Sequence, residues 1–300
     1  MKFFLVVANE NWICDRLASE WQEFADVTTN PVEADVVWIL SPYIWNSVPR
    51  QILENKKVLV TIHHVVPEKF TKDSLREFLQ RDKFVDYYHV TCEQTEKFIS
   101  KITKKPIFKH PFWVNQHNWF EINKQEARQK LNLSEGAYLI GSFQRDTEGH
   151  DLKSPKLEKG PDLFCDIVDS MNKEIADLEV LLAGWRRQYV INRLQESGVK
   201  YHYFELPELS TVNELYNCLD LYIVSARCEG GPQSIVECAL TKTPIVSTDV
   251  GIARNILAEE SIYNPLEKLG KPNVEVAYNN VKNFLIPTGF APFLDFIESR

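Results

Sequence analysis

Residues 229–237 read Glu-Gly-Gly-Pro-Gln-Ser-Ile-Val-Glu: two carboxylates separated by a glycine pair, a proline and a short polar-to-apolar run. Gly230 and Gly231 carry no Cβ, so the backbone there can close on a ligand. Pro232 is tolerated at a helix start, where its missing N–H would have no partner anyway. The spacing therefore predicts a helix opening at Gln233, with first-turn N–H groups around Gln233 and Ser234 forming an anion site. Glu229 stands on the loop and Glu237 about two helical turns further on. The pair can reach opposite ends of one extended ligand. One carboxylate accepts from two neighbouring hydroxyls, which suits a polyhydroxyl compound.

Such a loop needs a scaffold. Short apolar runs recur along the chain at 3–8, 36–40, 58–63, 87–92 and, more weakly, 107–112. They resume at 138–143, 180–184, 201–204, 221–226 and 244–248. Between them lie segments with helical patterning at 12–24, 95–102, 162–172, 212–218 and 233–240. Runs apolar at successive positions suit parallel strands covered on both faces. Strand, helix, strand in repetition predicts α/β sheets, doubly wound. The pattern restarts near residue 136 after a polar amphipathic stretch and a Ser-Glu-Gly loop. This predicts two Rossmann-like domains, 1–135 and 136–285, facing a cleft, with a tail helix at 286–300 packing across the junction. Ligands in such sheets bind beyond the carboxyl ends of the strands.

Composition narrows the class. A net charge of −8 over 300 residues argues against a nucleic-acid partner. The basic cluster Lys97, Lys101, Lys104, Lys105 and Lys109 is a solvated helix end, with weak contact to an anionic membrane surface as the alternative. The six cysteines form no C-x-x-C pair and sit in no metal-ligand spacing, so the chain reads as reduced and cytoplasmic. No run reaches the roughly 18 apolar residues of a membrane span, and 3–8 reads as a first strand. There is no D-x-D, no G-x-S-x-G, no G-x-G-x-x-G and no cysteine with an evident basic partner, so neither metal nor cofactor is expected.

The segment continues through Cys238-Ala239-Leu240 to Thr243-Pro244-Ile245-Val246-Ser247-Thr248-Asp249-Val250-Gly251. Over residues 211–257 it resembles the retaining glycosyltransferases of family four, which have the GT-B fold. Cys238 stands where alanine is common and Lys242 where glycine is common. The resemblance implies a metal-independent retaining transfer of a sugar from a nucleotide-diphosphate donor to an acceptor hydroxyl. A GT-B sugar-nucleotide epimerase or a non-catalytic nucleotide-sugar binding protein are the alternatives. By position, Glu229 would contact the donor sugar and Glu237 the ribose. Gly230, Gly231, Pro232, Gln233 and Ser234 would line the sugar and diphosphate. The family's phosphate-neutralising cations correspond to Arg145, ending a strand, and Lys159, before Gly160. The intervening segment 146–158 is longer than usual and is read as a lid; it leaves Lys153 or Lys156 as alternative cations. His63, in Thr61-Ile62-His63-His64, matches a histidine near the reacting carbon, with His64 where an acidic residue is common. The other five histidines read as structural. Thr91 to Thr95 resembles an acceptor-side turn, with helix capping as its alternative. Asn9-Glu10-Asn11-Trp12 departs from the family's glycine-rich loop. Trp38, Tyr43, Trp45, Trp113 and Trp119 are either sugar-stacking or core residues.

Overall fold

A computed structural model of the chain describes residues 1–10, 13–265 and 268–299. The chain divides into two compact units, Met1–Trp113 with Ile286–Arg300, and Val114–Leu285. Each is built on one six-stranded sheet, and the pairings are parallel throughout.

The first unit contains β1 (Lys2–Val6), α1 (Ile13–Gln22), β2 (Asp26–Val27), β3 (Val36–Ile39), α2 (Arg50–Asn55), β4 (Lys57–Ile62), α3 (Lys72–Asp82), β5 (Tyr87–Val90), α4 (Glu93–Ile99) and β6 (Ile107–Lys109). Its strands lie in the order β2-β1-β3-β4-β5-β6. Along β3 successive side chains go to opposite faces. Val36 and Trp38 join one core with Trp21 and Trp113, while Val37 and Ile39 join another with Val60 and Phe78. This two-sided burial is why the strand is apolar at every position.

The second unit contains α5 (Lys124–Lys130), β7 (Tyr138–Ser142), α6 (Pro161–Met171), β8 (Leu178–Ala183), α7 (Gln188–Glu196), β9 (Lys200–Phe204), α8 (Leu209–Cys218), β10 (Leu221–Val224), α9 (Gln233–Leu240), β11 (Ile245–Thr248), α10 (Ala253–Ile256), β12 (Ile262–Tyr263) and α11 (Val274–Val281). Read outward, the order β9-β8-β7-β10-β11-β12 is the Rossmann arrangement, with its topological switch point between β7 and β10. In the first unit the corresponding switch lies between β1 and β3.

All ten expected strands are present. The edge pairs β2 and β12 are two residues each, too short to show a pattern. The boundary differs from the sequence expectation: residues 114–135 pack with the second unit, not the first. Arg128 explains it. Its buried guanidinium donates to Cys218 O (2.7 and 2.9 Å) and Ala137 O (3.0 Å) and pairs with Asp220 (2.7 Å). The tail read from the sequence as a helix carries one. Within the first unit α12 (Ala291–Glu298) sets Phe293 and Ile297, with Phe290 before it, into the Trp21–Trp38–Trp113 cluster. The Trp113 and Phe290 ring centroids are 4.5 Å apart. The expected helix at 12–24 is observed as Ile13–Gln22; Asn11 and Trp12 lie outside the described residues, as does Arg300 of the tail.

One polar chain crosses this apolar core. Trp38 Nε1 donates to Thr61 Oγ1 (2.9 Å), the Thr61 hydroxyl faces His89 Nδ1 (3.1 Å), and His89 Nε2 lies 2.9 Å from His110 O. The last contact fixes the proton on Nε2, so Nδ1 accepts. Burial pushes the His89 pKa down to about 3. In the unfolded chain it returns to about 6.5. Below that pH the unfolded state takes up a proton that the folded state refuses. Stability should therefore fall by up to about 1.4 kcal/mol per pH unit as pH drops from about 6.5. His89→Gln keeps a donor and an acceptor and should flatten this slope, measured as urea midpoints between about pH 6.5 and 4.5. An unchanged slope would exclude His89 as its source.

Candidate functional site

In the second unit, the loops leaving β7 and β10 carry most of the residues singled out from the sequence. They are joined at one point. Gly160 has φ +62°, and a Cβ there would lie 1.8 Å from Ser225 O. Only glycine allows that approach. Around it, Ser225 Oγ donates to Gly160 O (2.7 Å), and the N–H groups of Arg227 and Cys228 donate to Glu158 O (2.9 and 3.1 Å). Gln144, just past β7, donates to Lys159 O (2.8 Å). Arg227 forks onto both carboxylate oxygens of Asp162 (2.7 and 2.6 Å). The product of this stitching is a direct bond from Lys159 Nζ to Glu229 Oε1. A second glycine shapes the far side: Gly251 has φ +55°, and a Cβ there would meet Gly230 O at 2.5 Å.

Burial and the like charge of Lys156 push the Lys159 pKa down to about 7. The Glu158 carboxylate opposes this, but burial is the larger effect. Arg145 adds further positive charge beside Lys159, and its own guanidinium donates to Thr147 O (2.9 Å). Segment 146–158 is a closed loop. Lys156 N donates to Asp146 O (2.8 Å), Glu148 N donates to Ser154 O (3.0 Å), and Thr147 bridges Pro155. That base brings Lys156 to the site, while Lys153 is exposed at the outer turn. Beneath it lies a fully buried ion pair, Asp146 with Arg187 (2.9 Å), whose guanidinium also donates to Ala183 O and to the carbonyl and hydroxyl of Ser142.

Helix α9 starts at Gln233 as expected, with Pro232 as N-cap and no capping side chain. Glu237 is buried. Its Oε2 accepts from the hydroxyl of Tyr216 on α8 (2.7 Å), and burial together with this carboxylate raises the Tyr216 pKa well above its usual value. Phe143 packs on both Tyr216 and Tyr222, and its N–H donates to Tyr222 Oη (3.0 Å). Neither tyrosine was singled out from the sequence. Nothing in the spacing ties positions 216 and 222 to 237, nor 146 to 187; these are tertiary facts.

In the first unit His63 sits where β4 ends. Its Nε2 is 2.8 Å from Leu40 O and 3.4 Å from Cys14 Sγ, and its ring stacks on Phe112. This corrects the expectation that no cysteine has a basic partner. Burial lowers the His63 pKa and raises that of Cys14, so the pair is neutral and the thiol is not activated. Trp38, Trp113 and Trp119 are buried core residues, Trp45 packs on Phe84, and Tyr43 is exposed with its hydroxyl on Glu10 (2.9 Å). Cys92 precedes α4 and no side chain caps it, so the capping alternative falls. In the lysine cluster, Lys97 pairs with Glu93 and Lys109 with Glu96. Among the described residues no three His, Cys, Asp or Glu side chains gather as a metal-binding group, and no helix is long and apolar enough to cross a membrane.

Residues 152–268, spanning Lys159, Glu229 and Glu237, match the family described as Glycosyl transferases group 1. Over 137 residues the chain is 26% identical to the lipopolysaccharide core biosynthesis mannosyltransferase LpsB of Rhizobium meliloti, covering 43% of this chain and 36% of that protein. The match thus spans about a third of the relative's length. Among solved structures, Anabaena Alr3699/HepE in complex with UDP and glucose superposes with a TM-score of 0.77 at 12% identity, covering 100% of this chain and 99% of the other. A glycosyltransferase from Rickettsia africae gives 0.70 at 16% identity, covering 99% and 98%. At these identities the likeness is one of fold: the chain has the GT-B fold, with its two Rossmann-like sheets.

The Gly160 lock can be tested directly. Gly160→Ala forces the Ser225 carbonyl away and strains a left-handed residue, and should destabilise the protein by about 3 kcal/mol or more. Gly136 has nothing within 4 Å of its Cβ position, so Gly136→Ala should shift the melting temperature by little. Equal shifts for the two variants would show that the Gly160–Ser225 contact constrains nothing.

Proposed function

We propose that the chain transfers a sugar from a nucleoside-diphosphate donor to an acceptor hydroxyl, with retention at the anomeric carbon and without a metal ion. The observation that carries this reading is the Lys159–Glu229 bond at the switch point of the second sheet. A cation and a hydroxyl-accepting carboxylate are held there by backbone that cannot be rearranged cheaply. When a donor binds, its diphosphate replaces Glu229 as the partner of Lys159, and Glu229 turns its oxygens to the sugar hydroxyls. Arg145 and Lys159 then face the charge that grows on the departing diphosphate, so they lower the barrier most where it is highest. Residues 230–234 line the sugar and diphosphate. Glu237, with one oxygen fixed by Tyr216, keeps acceptor capacity for the ribose diol. With front-face attack the leaving phosphate takes the acceptor proton, and no protein base is required. His63, kept neutral by burial, serves the acceptor as a hydrogen-bonding group. The family match over 152–268 and the UDP and glucose held by the Anabaena neighbour support a nucleotide-sugar donor; the relative named a mannosyltransferase supports a hexose.

Wild-type protein should release nucleoside diphosphate from one of UDP-glucose, GDP-mannose or ADP-glucose only when an acceptor from a sugar and lipid-glycan panel is present. Release should survive EDTA, and NMR should show an axial donor giving an axial product. Glu229→Gln should lower kcat roughly a hundredfold. Epimerised sugar without acceptor, or binding without release, would each sink the transferase reading.

The Lys159 pKa sets a pH dependence. Diphosphate binding restores a full anionic partner and so draws a proton onto the Lys159 amine. Binding should be independent of pH below about 7 and weaken above it, by at most about tenfold per unit. Titration calorimetry in two buffers of different ionisation heat at pH 8 should record net proton uptake. No uptake would mean that Lys159 is already charged at that pH.

A further inference from the structure

We propose that Trp185 is the shelf on which the donor's nucleobase stacks; this rests on the donor-site reading above. Trp185 follows β8, which lies beside β7 in the sheet, one strand spacing of about 5 Å from the loop that carries Arg145. In the proposed arrangement a base joined through ribose to a diphosphate at the switch point would lie over the β8 side.

Three observations point to a ligand for this ring. First, it is 49% exposed, while Trp21, Trp38, Trp113 and Trp119 are buried in cores. Second, it lies beside two arginines. The guanidinium carbons of Arg145 and Arg186 lie over the ring, 5.6 and 5.3 Å from its centroid, so the ring is a neighbour of the proposed diphosphate cation. Third, the turn that presents it is strained and heavily braced. Gly184 has φ +96° and Arg186, a residue with a Cβ, has φ +60°. Gly184 N donates to Phe204 O (3.1 Å). Arg186 O accepts from Asp146 N (3.1 Å) and Thr147 Oγ1 (3.1 Å), and Arg186 Nη2 donates to Gly149 O. Arg187 is locked beneath by the buried pair with Asp146. Left-handed backbone at a side-chain-bearing residue persists only where the surroundings over-determine it, and such strain clusters at ligand clamps. Here the braced turn holds out a large aromatic that packs into no core. Stacking needs only a π-face, so the shelf recognises a base as a class, and Arg145 couples its position to the diphosphate.

The test uses calorimetric titration of the full chain with UDP, GDP, ADP and inorganic pyrophosphate. Trp185→Ala should weaken the preferred nucleoside diphosphate roughly tenfold or more and leave pyrophosphate unchanged, and Trp185→Phe should recover most of the loss. Near-native melting of Trp185→Ala, expected for an exposed side chain, separates stacking from misfolding. Unchanged nucleotide affinity, or an equal loss for pyrophosphate, would overturn the shelf and leave the donor site standing. Absence of nucleotide binding by the wild type would overturn the donor site and the shelf with it.

Discussion

The second unit turns on a contact between two backbones. Gly160 lies so close to Ser225 O that no side chain fits. Its left-handed conformation also serves as the N-cap geometry of α6, with Pro161 at the first helical position. Backbone contact positions side chains more narrowly than side-chain packing can, because the rotamer freedom of the linking groups is removed. The hydrogen bonds from Arg227 and Cys228 to Glu158 O then act as a short ladder between the two loops. Lys159 and Glu229, seventy residues apart in sequence, meet because the chains beneath them are already joined.

Like charges are crowded together above that lock. Arg145, Lys156 and Lys159 are gathered with Glu158 and Glu229 in a half-buried place. Burial and the neighbouring cations make the charged form of Lys159 costly to hold. The contrast lies just below, where Asp146 and Arg187 are fully buried and saturated by Ser142, Ala183 and the Tyr189 N–H. A buried pair is weak evidence for stability in itself. This one fixes where the 146–158 loop leaves the sheet, and so fixes Arg145 on one side and Lys156 on the other.

How much of this was legible in the sequence follows from the range of each interaction. Strands such as Val36–Ile39 were visible because two-sided burial makes every residue apolar. Helix α9 was visible because Gly-Gly-Pro-Gln is a local start signal. The segment around Glu229 and Glu237 was visible as a motif. Three things were not. The domain boundary depends on Arg128 reaching Cys218 and Asp220, some ninety residues away. Tyr216 and Trp185 have no local pattern; one is a buried partner and the other an exposed ring, and both look alike as letters. Cys14 meets His63 only because α1 returns across the ends of β3 and β4.

The Lys159–Glu229 bond also constrains how any anion can bind. A ligand at Lys159 does not meet an empty cation; it must displace a carboxylate that is already bonded. Its affinity is therefore a difference between two ion pairs, smaller than the charge of the cluster suggests. Single anions such as inorganic phosphate gain little from the exchange, since they leave Glu229 desolvated and without its cation. In the proposed donor site, a molecule carrying both a diphosphate and adjacent hydroxyls would replace each partner of the broken pair, one at Lys159 and one at Glu229. On that reading the closed pair would act as a filter favouring ligands with both groups at the right separation, through the displaced bond as much as through the new ones.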